Sequence, residues 1–226
     1  MPRNISVFDI IGPIMVGPSS SHTAGAVRLG QVARAILGHP PVDASIELHG
    51  SFAQTGQGHG TDRGLVAGLL GMATDDPDLP HSFERAEQTG LSFRFAEIDL
   101  GEDAHPNSVR LTLHDGNQRT VQITGCSIGG GLVEVVNVDG YDVQFGCSYD
   151  TLLVLAEDRP GTINQVTGWL ARHRINIAFL RVKRDKRGGD SIMIIETDAT
   201  VDPMLLEAFE DYTWVRWVRQ VPKVEM

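Results

Sequence analysis

Nine consecutive residues, GPSSSHTAG at positions 17–25, combine a Gly-Pro turn with three serines, a histidine and a threonine. An apolar-periodic segment follows them, which predicts that they lie at a helix N-terminus. Unpaired amides and a partial positive charge make such an end suitable for a carboxylate or phosphate. Further donors would be the hydroxyls of Ser19, Ser20, Ser21 and Thr23. The alternative is a simple cap, in which one hydroxyl binds the first turn and the others are solvated.

Two histidines in glycine-rich and hydroxyl-rich loops are candidates for proton transfer. His22 lies in the first loop, and His59 lies in a second loop, TGQGHGTD at 55–62, which also leads into a helix. Imidazole titrates near neutral pH and can act as an acid or a base, while a structural role is the alternative for both. No nucleophile pair follows from Ser21 and His22 being adjacent, and no G-x-S-x-G elbow is present. The remaining histidines are predicted to be structural: His39, His49, His81, His105, His114 and His173.

A third loop, CSIGGG at 126–131, has three glycines that permit positive φ or a close backbone approach. The chain has two cysteines, Cys126 and Cys147, which are interpreted as inert core thiols in a reducing compartment. Two are too few for the four thiolates that usually hold an iron-sulfur cluster. No H-x-x-x-H or C-x-x-C spacing marks a metal site. Asp62 is interpreted as the N-cap of the helix after the second loop.

The elements that position these loops form an α+β pattern. Helical periodicity or strand alternation predicts helices near 24–38, 63–73 and 81–89, and strands near 42–52, 91–100, 108–116, 118–125 and 132–145. From residue 149 the order becomes βαββαβ, which is ferredoxin-like. In this part Asp158 is interpreted as a helix N-cap ahead of Pro160. We therefore predict a domain at 1–147 and a second at 148–226.

Charge and composition narrow the class of protein. The formal net charge of the 226 residues is −10, and residues 1–150 contain 8 arginines, no lysine and 18 acidic residues. This balance argues against nucleic acids and anionic membranes as partners, because both attract clustered Lys and Arg. No apolar stretch is long enough to span a bilayer, and the N-terminus does not match a signal peptide. A cytoplasmic location is expected.

Three segments in this order, SVFDIIGPIMVGPSSSHTAGA, GSFAQTGQGHGTD and SIGGG, resemble the β chain of the two-chain, iron-sulfur-dependent L-serine dehydratases of bacteria. The final part, with LLVLAEDRPGTINQVTGWLARHRINIAFLRVKR, is similar to an ACT domain. The resemblance implies deamination of L-serine to pyruvate and ammonia. It also implies a [4Fe-4S] cluster as the Lewis acid, in place of pyridoxal phosphate. The absence of lysine from the first 150 residues agrees, since a pyridoxal enzyme requires a Schiff-base lysine.

The resemblance assigns the cluster to a separate α chain and the loops of this chain to the substrate. The serine carboxylate is expected among Ser19, Ser20, Ser21 and Thr23, with Ser127, Gly129 and Gly130 closing the other side. His22 and His59 are expected to transfer protons or orient the substrate. The ACT domain is expected to self-associate or to bind an amino-acid effector between paired modules near Asp158, Gly161, Asn176 and Ile177. The alternative function is a regulatory subunit that binds a small amino acid without catalysis.

Overall fold

The computed structural model describes residues 13–56, 58–117 and 119–223. The chain divides into two compact units, Met1–Asp139 and Gly140–Glu225. Both mix helices with strands, so the predicted α+β class is confirmed. The domain boundary at 147/148 stays a prediction, and the apolar segment at 5–12 lies outside the described residues. Within those residues, no helix combines the length and the apolar character needed to cross a membrane.

A mixed sheet forms one layer of the first unit. Its strands lie in the order β2-β1-β3-β4-β5. β2 pairs with β1 in parallel, and the other neighbours pair antiparallel. Their bounds are β1 Asp43–Leu48, β2 Ser92–Glu97, β3 Ser108–His114, β4 Thr120–Gly129 and β5 Leu132–Val138. Side chains alternate between buried and partly buried along β1, as a strand with one covered face requires.

Helices cover this sheet and carry the candidate loops. Helix α1, Gly25–Leu37, follows a π-helical turn at Ser20–Ala24 and ends at Gly38, whose φ is 88°. The apolar residues that predicted this helix are all buried: Val27, Val32, Ala33, Ile36 and Leu37. Among the described residues of this unit, the other α-helices are α2 Ser51–Thr55, α3 Thr61–Leu70 and α4 Ser82–Thr89, and a 3-10 helix at Leu79–His81 precedes α4. The predicted helices are therefore confirmed. Helix α2 was not predicted, and the strand predicted at 42–52 is wrong at its end, because β1 ends at Leu48 and Ser51 and Phe52 are helical.

Helices α1 and α3 cross in close contact because glycine stands at the crossing point. A Cβ atom on Gly68 would lie 2.0 Å from the Val27 carbonyl oxygen, and one on Gly30 would lie 2.5 Å from the Leu65 carbonyl oxygen. A Cβ atom on Gly64 would lie 2.9 Å from the Thr23 carbonyl oxygen. Side chains at these positions would force the two backbones apart. The crossing therefore fixes the distance between the N-termini of the two helices, where the first and second loops lie.

Three further local predictions for the first unit are wrong. Strand β4 continues through Cys126–Gly129, so only the end of the predicted third loop is a turn. The strand predicted at 132–145 is interrupted at Asp139 and Gly140, whose φ angles of 50° and 85° are incompatible with an extended chain. Asp62 is not the N-cap of α3, because Gly60 occupies that position, and the Asp62 carboxylate accepts a hydrogen bond from the Arg63 amide.

The second unit contains a four-stranded antiparallel sheet in the order β10-β7-β9-β8, with two helices, and the predicted βαββαβ order is confirmed. The elements are β6 Tyr141–Phe145, β7 Asp150–Glu157, α5 Thr162–Arg172, β8 Ile177–Arg184, β9 Asp190–Thr197, α6 Pro203–Glu210 and β10 Val215–Val221. Asp158 was predicted to be the N-cap of α5. This prediction is wrong, because Gly161 holds that position with a φ of 93°. The Asp158 carboxylate instead accepts from the Gly188 amide at 3.2 Å.

Candidate functional site

The first loop is a capped helix start, as the sequence predicted. The Ser19 hydroxyl accepts a hydrogen bond from the His22 amide at 3.1 Å, and the Ser19 carbonyl accepts one from the Thr23 amide at 2.8 Å. The Ser21 hydroxyl lies 3.4 Å from that of Ser19. Ser20 and Ser21 are half-buried within the π-helical turn. Such wide turns are frequent at functional sites. The cap leaves these two hydroxyls at the mouth of the helix.

His22 is held between hydroxyl groups from two loops. Its Nδ1 lies 3.3 Å from the Ser21 hydroxyl, and its Nε2 lies 3.1 Å from the Ser51 hydroxyl. The edge of Phe52 packs on the same ring, with centroids 5.4 Å apart. These contacts fix both the position and the plane of the imidazole. The adjacency of Ser21 and His22 did not predict their contact, and Ser51 was not among the predicted site residues.

The rings of His22 and His59 meet edge to face, with centroids 5.3 Å apart. Burial lowers the pKa of His22, and the charge of a protonated His59 lowers it further. His22 is therefore neutral at pH 7, because its pKa lies below the usual 6.5. His59 is exposed. Among the described residues its ring makes the contact with His22 and no hydrogen bond.

Thr23 joins the second loop to the first. Its hydroxyl donates to the His59 carbonyl at 2.8 Å, and its side chain is 1% exposed. The same side chain fills the space beside Gly17, where an added Cβ would come within 2.6 Å of it. Thr23 thus holds the His59 backbone in place from behind. It lies at the predicted site, but its side chain is enclosed.

The third loop reaches the start of α1 from the sheet. The Ser127 side chain is 0% exposed, and its hydroxyl has no hydrogen-bond partner among the described residues. It lies against Gly25, where an added Cβ would be 2.2 Å from that hydroxyl oxygen. Gly129 and Gly130 follow with φ angles of 102° and 61°. The three predicted loops therefore converge on one helix N-terminus.

A segment that the sequence did not indicate connects the second and third loops. The Pro106 carbonyl accepts from the Ser51 amide at 2.7 Å, and the Asn107 carbonyl accepts from the Ser127 amide at 3.0 Å. The His105 Nδ1 accepts from the Asn107 amide at 3.1 Å, which shapes the turn. Burial lowers the pKa of His105, against the opposing effect of the Glu134 carboxylate. In the sequence, only the run His-Pro-Asn could have indicated this segment.

The described residues do not suit an iron-sulfur cluster. Cys126 and Cys147 are buried thiols, 4% and 5% exposed, without a disulfide, as predicted. Burial, and then the nearby Glu134, raises the pKa of Cys126 to about 11, which opposes the thiolate form that binds metal. Within residues 13–223, apart from 57 and 118, no three His, Cys, Asp or Glu side chains converge as metal ligands.

The four predicted effector residues lie at two ends of the second sheet. Asp158 and Gly161 follow the C-terminal end of β7. Asn176 and Ile177 lie at the start of β8. Ile177 pairs with Thr197 of β9, and Thr197 pairs with Asp150 at the other end of β7. The Asn176 amide donates to the Asp198 carboxylate at 2.6 Å. One module does not bring the four together, so a common ligand would have to lie between two modules.

The site in the first unit is suited to binding a carboxylate and moving a proton beside it. The helix start offers hydroxyls and amides to an anion. The imidazole of His22 is neutral and held in orientation, and its ring contacts the exposed imidazole of His59. Proton transfer by a positioned histidine is the commonest form of general acid-base catalysis.

Residues 6–137 match the family described as serine dehydratase beta chain, and residues 151–212 match the ACT domain. The chain is 39% identical to the L-serine dehydratase beta chain of Peptoniphilus asaccharolyticus, covering 94% of this chain and 97% of that protein. It is also 39% identical to the probable L-serine dehydratase beta chain of Bacillus subtilis, covering 89% and 91%. L-serine dehydratase 2 of Escherichia coli is 30% identical over 57% of this chain but only 33% of its own length.

Proposed function

Because the chain belongs to the serine dehydratase beta chain family, we propose that it is the β subunit of an iron-sulfur-dependent L-serine dehydratase. Together with an α chain, it would convert L-serine to pyruvate and ammonia. The substrate loses its Cα proton and its β-hydroxyl, and the resulting enamine tautomerises to an imine that water hydrolyses. The names of the relatives favour this function over a non-catalytic regulatory subunit. We place the enzyme in the cytoplasm, where its two thiols stay reduced.

The proposal rests on the convergence of His22, His59 and the first loop, residues 17–25, at one helix N-terminus. We call this first loop the serine loop. In the proposed complex the serine carboxylate binds the hydroxyls of Ser20 and Ser21 and the first amides of the turn. Gly129 and Gly130 form the facing wall without side chains. Thr23 and Ser127 stand behind the substrate and hold the loops, because their side chains are buried. Ser19 completes the cap.

We assign the removal of the Cα proton to His59. Its ring is exposed and, among the described residues, makes no hydrogen bond, so a lone pair can face the substrate. His22 has both ring nitrogens beside hydroxyls and a lowered pKa. It therefore acts as a neutral neighbour that orients His59 and the serine loop. This division of roles gives each imidazole a separate experimental signature.

The [4Fe-4S] cluster is assigned to the α chain, since the described thiols of this chain are buried and too few. No pyridoxal phosphate is required, and the first 150 residues contain no lysine to bind it. For the ACT domain we propose self-association, with any amino-acid effector bound between two copies. The four effector residues at opposite ends of the sheet fit a site of that kind.

The function is tested by anaerobic co-expression of this chain with the α chain of the same organism, followed by measurement of pyruvate formed from L-serine. We expect activity from the pair and none from either chain alone. Activity of the α chain alone would contradict a catalytic contribution by this chain. Wild-type turnover by both His22→Ala and His59→Ala would do the same and would favour the regulatory function. Cluster content is measured in every preparation, so that a loss of iron is not mistaken for a loss of chemistry.

Ser51→Ala is expected to lower kcat/KM for serine by about fivefold to tenfold, because one hydrogen bond on the His22 ring is lost. The fold should survive, since Gly50 rather than Ser51 occupies the N-cap of α2. Ser92→Ala, at an exposed position of the same unit, is the control and should leave kcat/KM unchanged. Equal rates for both variants would show that the Ser51 hydroxyl does not position His22.

A further inference from the structure

Three phenylalanines form an aromatic surface on the edge strand of the first sheet. Phe93 and Phe95 lie two residues apart on β2 and thus on one face, and Phe83 of α4 packs against them. Ring centroids are 5.1 Å apart for Phe83 and Phe93, and 5.8 Å for Phe93 and Phe95. Phe95 is 36% exposed. We call this set the phenylalanine surface. It leaves an aromatic cluster in contact with solvent beside the last strand of the sheet.

A cavity of about 450 Å³ opens beside this surface. The three phenylalanines and Leu48 supply its apolar wall, and Asp62 and Glu97 supply carboxylates. Among the described residues, no basic side chain lines it. The nearby Arg63 is already engaged, because its guanidinium lies over the Phe83 ring at 4.8 Å and within 3.9 Å of Glu84. The cavity therefore suits an apolar partner that also carries positive charge.

The cavity shares a segment of chain with the candidate active site. Its opposite wall consists of α2 and the segment after it, including Gln54, Thr55, Gly56 and Gly58. The same stretch of chain holds Ser51 and Phe52, which contact His22, and leads directly to His59. A partner that enters the cavity would thus touch the back of the loop that carries the proposed base. The first unit is acidic, with 16 acidic and 8 basic residues in positions 1–139, and would attract a basic partner.

We infer that the phenylalanine surface and its cavity are the docking site for the α chain, occupied by an α-chain segment with apolar side chains and at least one Lys or Arg. This inference rests on the proposed function, which requires an α chain at the histidine site. The match to the Escherichia coli relative covers 33% of that protein, so most of it lies outside the part that resembles this chain. Packing of the remaining part against the acidic, aromatic wall beside His59 would complete the site.

The test compares Phe95→Ser and Glu97→Lys with Val42→Ser, a matched control in the same unit whose side chain is 43% exposed. Purified α chain, kept anaerobic, is titrated with each variant, and the Kd of the pair is measured by sedimentation. We expect Kd to rise at least tenfold for Phe95→Ser and for Glu97→Lys, and to stay unchanged for Val42→Ser. With wild-type chain, added salt should weaken binding, while for Glu97→Lys the salt dependence should shrink. At saturating α chain, kcat for serine should equal that of the wild type, because neither residue belongs to the site.

A Kd within twofold of wild type for both variants would overturn the inference. So would a loss of self-association by this chain with unchanged binding of the α chain, which would identify the surface as an interface between two copies. Circular dichroism of each variant confirms that it is folded. Failure of the proposed function is distinguishable, because then even the wild-type pair would form no pyruvate.

Discussion

Replacing His59 with alanine is expected to lower kcat for serine by about 10²-fold to 10⁴-fold, the usual contribution of a positioned acid or base. The fold should be retained, because Thr23 binds the His59 carbonyl rather than its ring. Binding of the α chain and the iron content should also stay at wild-type values. The measurement is anaerobic single-turnover formation of pyruvate with the α chain at saturation. A kcat within tenfold of wild type would contradict the assignment of the base.

The same variant has a second signature at His22. In the wild-type chain the pKa of His22 is lowered by burial and, secondly, by the charge of His59. Removing His59 eliminates the second cause, so the pKa of His22 should rise but remain below 6.5 because burial persists. Titration of the His22 ring by NMR measures this shift directly. A pKa that does not move would show that the two rings are not coupled in solution.

The wild-type pH profile follows from the same direction. A protonated His22 would place a positive charge against the proposed base. The pKa of His22 lies below the usual 6.5, so the loss of activity caused by protonation of His22 should be centred below pH 6.5. In His22→Gln the amide cannot titrate, so this part of the acidic limb should disappear. His22→Gln complements His59→Ala, because it removes the titrating ring at position 22 and keeps a side chain that can form hydrogen bonds.

Gly68→Ala is expected to destabilise the first unit by roughly 3 kcal/mol, the upper range for overpacking. The added Cβ would lie 2.0 Å from the Val27 carbonyl oxygen and 2.9 Å from the Gln31 amide nitrogen, and both are backbone atoms that cannot rotate away. Separation of α1 from α3 would also displace His22 from His59, and a misplacement of about 1 Å can cost about 10²-fold in rate. Both stability and turnover should therefore fall.

Urea denaturation followed by circular dichroism measures this loss, with residual serine turnover as a second probe. Tryptophan fluorescence reports on the second unit instead, because the three tryptophans are Trp169, Trp214 and Trp217. Gly168→Ala is the control: this glycine is also within a helix, but an added Cβ meets only the Arg172 side chain at 3.8 Å. There alanine should stabilise the second unit by roughly 0.5–1 kcal/mol. Equal effects of the two substitutions would show that the close crossing does not constrain the helices.

Much of the fold was predictable because local rules were sufficient. Helix α1 follows from an apolar period that is buried along its whole length and from a glycine at its end. The βαββαβ order follows from alternation and turn residues, without knowledge of contacts between strands. The wrong strand bounds lie in short segments whose residues are compatible with either a strand or a turn. Asp139 and Gly140 interrupt one apolar alternation, and Cys126–Gly129 continues a strand into residues that look like a loop.

The candidate site was predictable in part. The serine loop, His22 and His59 were identified by residue type, since hydroxyls at a helix start and imidazoles beside glycine are chemically informative. Ser51 and the His-Pro-Asn segment were missed. Ser51 lies at the end of the strand predicted at 42–52, and its contribution depends on contact with His22, 29 positions earlier in the chain. Pro106 and Asn107 contribute through backbone carbonyls, which residue type does not reveal.

The chemical groups that this protein possesses are readable from its sequence: a hydroxyl-rich helix cap, two loop histidines, no lysine in the first 150 residues and two cysteines. The first 150 residues therefore offer no lysine for a Schiff base, and two cysteines are fewer than the four that usually hold an iron-sulfur cluster. The tertiary structure alone decided which groups meet. It placed the rings of His22 and His59 edge to face, buried the hydroxyls of Thr23 and Ser127, and left the phenylalanine surface exposed. The physical reason is that distance and burial arise from packing between segments far apart in the chain, as at the crossing of α1 and α3 through glycine.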